Sequence, residues 1–260
     1  MPWYNYKSAI TTVNIAEGVT TIGACAFWGC SSLTSVTTPA TISTIGFGAF
    51  CDCSGLQQVT IKAGFVGESA FIRCTALRTV TVGSGVTGFG ISAFENCPGL
   101  TGVYISDLAA WCRIDFGGYL SNPLYGAKRL YLNGVELTDL QIPDGVTAIS
   151  DYAFGDALSI TSVTVPASVQ RIGDYAFYQC SNIRTVNLPT SGLNRIGASA
   201  FDSCTNLGQI AIPDSVSYVG NAAFAWTPIG RVNVKQGVIE GHAFEGCGCI
   251  TDVALGSGVT

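Results

Sequence analysis

The dipeptide Ala-Phe recurs with its ring at Phe27, Phe50, Phe71, Phe94, Phe154, Phe177, Phe201, Phe224 and Phe244, at intervals of 23, 21, 23, 60, 23, 24, 23 and 20 residues. A repeat of about 20–29 residues with fixed aliphatic positions cannot form an ordinary globular core. Each copy is one coil that buries its apolar face only against its neighbours, so the chain folds as a solenoid.

Around the dipeptide the coil reads as a set of packing instructions. Three aliphatic positions follow it, as in Leu33-Val36-Thr38, Leu56-Val59-Ile61, Leu100-Val103-Ile105, Ile183-Val186-Leu188 and Leu207-Ile210-Ile212; eleven such rungs start from Ile10-Val13-Ile15. The last two positions flank an outward residue, the period-two pattern of a strand. Proline comes next at Pro39, Pro143, Pro166, Pro189 and Pro213, where a missing N–H marks the end of strand pairing. A second short strand is expected at 19–22, 146–149, 169–172 and 216–219. The glycine after it (Gly23, Gly46, Gly67, Gly90, Gly173, Gly197, Gly220) either takes a positive φ or lets two backbones approach. Phenylalanine is the one bulky group per coil, so a column of stacked rings is expected in the core. Two coils, ending at Phe71 and Phe244, lose two residues in the turn before Ala-Phe, a loss that shortens a loop and leaves the core register intact.

Seven of the eleven cysteines, Cys30, Cys53, Cys74, Cys97, Cys180, Cys204 and Cys247, lie three residues after the ring. Neighbouring rungs are ~4.8 Å apart with parallel side chains, whereas a disulfide needs converging Cβ atoms ~3.8 Å apart. Buried free thiols acting as inert fillers are the expectation, with rung-to-rung disulfides as the alternative. The pairs Cys51/Cys53 and Cys247/Cys249 are too few for a zinc site.

The interval of 60 marks a variant coil at 106–136. Ser106 or Asp107 is placed to cap a short helix over 107–112, and Asn133-Gly134 between Arg129-Leu-Tyr-Leu132 and Val135-Glu-Leu137 signals a hairpin. Trp111, Phe116 and Tyr125 are expected to fill the core where Ala-Phe is missing. Residues 1–9, with Trp3, Tyr4 and Tyr6, match no repeat and are expected to shield the first coil. The chain stops in mid-coil after Leu255, which points to a piece of a longer protein.

The unit Ile-Gly-x-x-Ala-Phe-x-x-Cys-x-x-Leu-x-x-Val-x-Ile-Pro resembles the BspA-like, or Treponema pallidum-type, leucine-rich-repeat family across residues 10–260. The segment at 107–134 also looks like one found within such proteins, while Ala157 and Thr227 stand where the pattern has cysteine. The resemblance implies an α/β leucine-rich-repeat solenoid, a right-handed horseshoe-like superhelix rich in parallel strands with few short helices, forming one domain over 1–260. It also implies a secreted or surface-attached, non-enzymatic adhesion or protein-interaction module of a host-associated bacterium. Partners would be host matrix proteins, microbial surface proteins or glycans. The other readings are a carbohydrate-binding accessory region of a larger exported enzyme and a structural stalk.

The remaining chemistry is sparse. Charged residues make up 11% of the chain and the net charge of −5 is spread without runs, leaving no electrostatic footprint for nucleic acid. No stretch is long and apolar enough to span a membrane, and no signal peptide is visible at the N-terminus. No cofactor fingerprint is present. The single histidine, His242, makes His-x4-Cys-x-Cys with Cys247 and Cys249, a thin basis for a metal or an activated thiol. Asp151 and Asp174 sit one repeat apart, at the spacing of a glycosidase pair but on a convex corner. The surface suited to binding is the outward side of the long sheet. Its two columns run from Thr12 and Asn14, past Gln209 and Ala211, to Asp252 and Ala254, a nearly uncharged carpet of hydroxyl and amide groups. On it Tyr104, Gln141, Asn187 and Arg231 are the expected binding residues, Tyr104 and Arg231 being of the kinds enriched at hot spots.

Overall fold

In the computed structural model of the chain, residues 3–208 and 210–260 are described; Gln209 of the outward column lies outside them. The coils form two compact units, residues 1–136 and 137–260. Both are β-solenoids of the leucine-rich-repeat kind, built of parallel strands, with short helices only in the variant coil and at the N-terminus.

In the first unit a nine-stranded sheet runs Thr21–Ile22, Thr44–Ile45, Gln58–Val66, Thr79–Phe89, Gly102–Ile105, Leu130–Leu132, Val135–Glu136. Ser35–Thr37 and Asp115–Phe116 join it from the side. The second unit has a three-stranded sheet, Asp139–Gln141, Ser162–Thr164 and Thr185–Asn187, and a six-stranded sheet from Ala148–Ile149 to Asp252–Val259.

A proline after the rung keeps the two strands of a coil apart. Where it follows the rung, as at Pro39, Pro143, Pro166 and Pro189, the coil holds a three-residue strand and then a separate two-residue strand. In four of the coils without it the two fuse into Gln58–Val66, Thr79–Phe89, Arg231–Ile239 and Asp252–Val259. Register shifts at 61–65 and 234–236 absorb the bend. The ring nitrogen offers no N–H to the ladder, so pairing lapses there and resumes only after the turn. Two expected rungs carry no strand: residues 11–20, where Val13 and Ile15 are only half-buried, and 210–212, where Ile210 and Ile212 are buried all the same.

The expected ring column is present in each unit. In the first, Trp3, Phe27, Phe50, Phe71 and Phe94 stack with centroids 5.1–5.3 Å apart. In the second, Phe154, Phe177, Phe201, Phe224 and Phe244 stack at 5.2–5.7 Å. Trp3 also donates its indole N–H to the Ala26 carbonyl at 2.7 Å, so the N-terminal segment does cover the first ring. The variant coil supplies Trp111 and Phe116 to the core, Phe116 stacking on Phe89. Tyr125 does not join them: it is 37% exposed, edge-on to Tyr119 and beneath the Lys128 ammonium. Asp107 caps the helix Leu108–Trp111 by accepting from the Ala110 N–H, and Asn133-Gly134, both at positive φ, turn the hairpin.

All eleven cysteines are free thiols, but the ladder is not inert. The thiols of Cys53, Cys74, Cys97, Cys180, Cys204 and Cys247 donate to the phenylalanine carbonyl of the preceding coil at 2.9–3.2 Å. Size and burial alone do not reveal this donor role. Thr227, standing at a cysteine position, donates its hydroxyl to the Phe224 carbonyl at 2.6 Å.

The corner glycines serve close approach and not positive φ. A Cβ on Gly46 or Gly220 would lie 2.6 or 2.5 Å from the backbone nitrogen of Ala24 or Ala198 in the previous coil. The left-handed positions are elsewhere: the residue before Ala-Phe and the second one after it, in all nine corners. They include Cys25, Ser69, Tyr175 and Ala222, and Asp52, Arg73, Gln179 and Trp226. This conformation turns alternate N–H groups toward the next coil: Tyr175 to Ala198, Phe177 to Ala200 and Gln179 to Asp202, at 2.8–2.9 Å. Side chains in this region carry a steric cost of about 1–2 kcal/mol, which the inter-coil bonds hold in place. Ala222→Gly is therefore expected to raise stability by about 0.5–1 kcal/mol in denaturant titration, the relief of strain exceeding the added chain entropy. A drop in stability would show that the corner stores no strain.

Candidate functional site

The outward sheet face of the first unit is built by register. Thr60 lies opposite Thr81, Thr81 opposite Tyr104, and Tyr104 opposite Tyr131. The two tyrosines stack at 4.6 Å with planes 11° apart. Both rings lean over Gly102, where a Cβ would be 3.0 Å from the Tyr104 ring and 3.1 Å from the Tyr131 ring. The glycine thus makes the bed that lets an aromatic pair lie on the face. Sequence reasoning found Tyr104 and missed Tyr131, whose place on the same column follows only from the hairpin's parallel pairing to Gly102–Ile105.

On the other side of Tyr104 the face sinks into a depression of about 470 Å³. Thr81 and Gly83 form its floor, with Tyr104 on one side and Thr60 and Lys62 on the other. Gly83 is imposed by the backbone, since a Cβ there would be 2.4 Å from the Lys62 carbonyl. The Lys62 ammonium is 3.7 Å from Glu17, and both side chains are about half exposed, so the pair is weak and exchangeable.

In the second unit the expected binding residues are tied to their neighbours. Gln141 donates to both Asp139 oxygens at 2.9 Å, and Ser162 also donates to Asp139, whose carboxyl is held below its usual range by these bonds. Asn187 donates to Thr164 Oγ1 at 3.4 Å. Arg231 pairs with Asp252 at 2.9 Å. Gln141–Asp139 runs along one strand and the other ties cross between neighbouring strands, leaving the face polar and close to neutral.

The other candidates separate. His242 is exposed and pairs with Glu245 at 3.0 Å, while the Cys247 thiol points inward to Phe224 and Cys249 is exposed. No group of three or more metal-ligating side chains occurs among the described residues. Asp151 and Asp174 are braces: each Oδ1 accepts a backbone N–H of the next coil, from Asp174 at 3.0 Å and from Ala198 at 2.9 Å. Arg171 and Arg195 lie 3.4 and 3.5 Å from the same oxygens. Both carboxylates are thus tied into the stacking of the coils. A further cluster joins three coils of the first unit. Arg73 donates to Asp52 at 2.6 and 2.8 Å and Trp28 donates to it at 2.8 Å, which holds the Asp52 carboxyl far below its usual range. Beside it, burial pushes the Cys51 thiol up to about 11.

Fold and face together define a leucine-rich-repeat solenoid whose distinctive coil is the Ala-Phe, thiol-donor unit. Residues 3–111 and 127–251 match the BspA type leucine-rich repeat region in six copies, and the chain belongs to that family. Solved structures give the same fold. A leucine-rich-repeat protein from Eubacterium ventriosum is 20% identical, with a TM-score of 0.55 over 100% of this chain and 76% of that one. The pneumococcal vaccine antigen PcpA is 16% identical, with a TM-score of 0.56 over 92% and 66%. A leucine-rich-repeat protein from Bacteroides ovatus is 19% identical, with a TM-score of 0.50 over 93% and 78%. No curated protein matches the chain significantly. No helix among the described residues is long and apolar enough to cross a membrane.

Proposed function

We propose that this chain is a non-enzymatic interaction module displayed outside the cell, holding a protein or glycoprotein partner on the sheet face of its first unit. The observation that carries the reading is the Tyr104–Tyr131 pair, laid on a face otherwise rich in threonine, serine and glutamine. Tyrosine supplies broad contact area at low entropic cost and is enriched where partners dock. Membership of a repeat family whose members generally serve as protein-interaction modules supports the same reading. Display outside the cell accords with the pneumococcal relative in fold being a vaccine antigen. The committed carboxylates and the exposed His242 favour binding over catalysis.

The test is retention on immobilised fibronectin, laminin and collagen, and on intact bacterial surfaces. For whichever retains the protein, Tyr104→Ala is expected to weaken binding by about 2 kcal/mol, roughly thirtyfold, with unchanged thermal unfolding. Binding that survives Tyr104→Ala and Tyr131→Ala together would move the contact off this face. Substituting Gln141, Asn187 and Arg231 one at a time in the second unit tests whether its face contributes.

A further inference from the structure

The first rung, residues 11–16, runs beside the strand Ser35–Thr37 without pairing to it. In five other coils the residue before the strand donates its N–H to the coil behind. Gln57 donates to Thr34, Arg78 to Gln57, Thr101 to Arg78, Thr161 to Thr138 and Arg184 to Thr161, at 2.7–2.9 Å. The equivalent N–H of Thr34 has no backbone acceptor among the described residues. Backbone groups of a parallel strand alternate sides. The Thr34 carbonyl and the Thr38 N–H bond the coil ahead, so Ser35 and Thr37 turn theirs back toward residues 11–16. There they meet no backbone partner among the described residues.

Between the two segments lies a groove of about 390 Å³. Thr12 to Glu17 wall one side, and Ser35, Thr37, Thr38 and Pro39 wall the other. Val13 and Ile15 stay half-buried, whereas Val36 in the next coil is buried. Residues 34–38 contain neither proline nor charge, the usual devices that blunt an open edge. The edge is also held ready, because Ser35, Val36 and Thr37 are in register with Gln58, Val59 and Thr60. Such an edge repeats its donors and acceptors every second residue, ~6.6 Å apart. An extended main chain carries the complementary set at the same period. Since this chain walls the groove on both sides, a single extended segment enters it. The edge of a folded sheet, with further strands behind it, does not.

We infer that this groove takes an extended peptide segment of a partner protein by strand addition to Ser35–Thr37. Its main chain pairs with the free groups of Ser35 and Thr37. Its side chains alternate: apolar ones turn inward and complete the burial of Val13 and Ile15, and hydroxyl ones face outward beside Thr12 and Ser35. The site is separate from the Tyr104–Tyr131 face, so its failure leaves that reading as it stands.

The test uses the full chain and a blocked pentapeptide alternating threonine and valine, followed by amide NMR. In the free protein the Ser35 and Thr37 amides are expected to exchange at least about a hundredfold faster than that of Val36, which faces the paired side. Saturating peptide should protect both and leave the amides of the second unit unchanged. Two versions of the peptide, N-methylated at alternate positions, should differ at least about tenfold in affinity, because only one set of N–H groups faces the edge. Thr37→Pro removes an edge N–H at a place where proline is tolerated. It should abolish binding with unchanged thermal unfolding, and if that variant does not fold the methylated pair decides. Slow exchange at Ser35 and Thr37 in the free protein would mean that residues 11–16 close on the strand themselves, and the inference falls. Equal affinity of the two methylated peptides, or no binding by the parent peptide, overturns it as well. Self-association that Thr37→Pro abolishes, without peptide binding, would give the edge to a second copy of this chain instead.

Discussion

Phe177→Ala is expected to lower the unfolding free energy by about 3–5 kcal/mol. The ring is fully buried and stacked between Phe154 at 5.4 Å and Phe201 at 5.2 Å. Ala153, Ala176 and Ala200 are buried beside the column and too small to fill the space a missing ring would leave. The loss therefore combines lost transfer energy with a cavity. Phe177→Leu separates the two contributions. It keeps most of the volume and gives up the ring stacking, so it should cost about 1–2 kcal/mol. Denaturant titration of the two variants against the parent reads both numbers. A loss under about 1 kcal/mol for the alanine variant would mean the coils close over the gap and the column is not the core.

The second large effect is alkaline unfolding of the first unit. Burial pushes the thiols of Cys53, Cys97 and Cys112 from an ordinary 9.0 up to about 12, and that of Cys74 well above 9. Each folded-state pKa lies above its unfolded value, so the folded state keeps a proton that the unfolded chain gives up. The associated stability is fully present below pH 9. It is lost as the pH rises from there through the folded value. Each such thiol should cost about 2–3 kcal/mol by pH 11. Several together approach the whole stability of a domain. The unit is expected to unfold cooperatively before pH 12, followed by circular dichroism. Cys53→Ser and Cys97→Ser, whose hydroxyls also donate but do not titrate in this range, should shift the transition upward. An unshifted transition in the double variant would show that other groups drive it. In the second unit the Cys204 thiol is likewise held well above 9, and burial raises the tyrosines Tyr152 and Tyr178.

Much of this fold is legible in the amino-acid order because each coil repeats the same physical problem. Ring, alanine, thiol and rung positions could be read from spacing, as could the Asp107 cap and the Asn133-Gly134 turn. What escaped depended on partners in other coils. The left-handed pairs flanking Ala-Phe hold residues as different as Gly29, Arg73, Tyr175 and Trp226. Their shared signal is an exclusion: none of the eighteen is β-branched or proline, as the sterics of that region require. The fused strands were hidden because the informative feature was a missing proline. At the face, Tyr104 was visible from its column, but Tyr131 became its neighbour only through a strand pairing that no local pattern spells out. The Trp28–Asp52–Arg73 cluster draws on three repeats and needed the columns laid side by side.

The ring column has one more implication. Most coils offer their neighbour the same ring, the same thiol donor and the same run of N–H groups, so a coil displaced by one whole step would meet similar surroundings. Regular repeats carry no address. In the first unit the address is written by the parts that do not repeat. Trp3 ends the column on one side, and the variant coil, with Trp111 and Phe116 packed beside Phe89, fits at one position alone. The irregular coil does more than interrupt the pattern: it numbers the others.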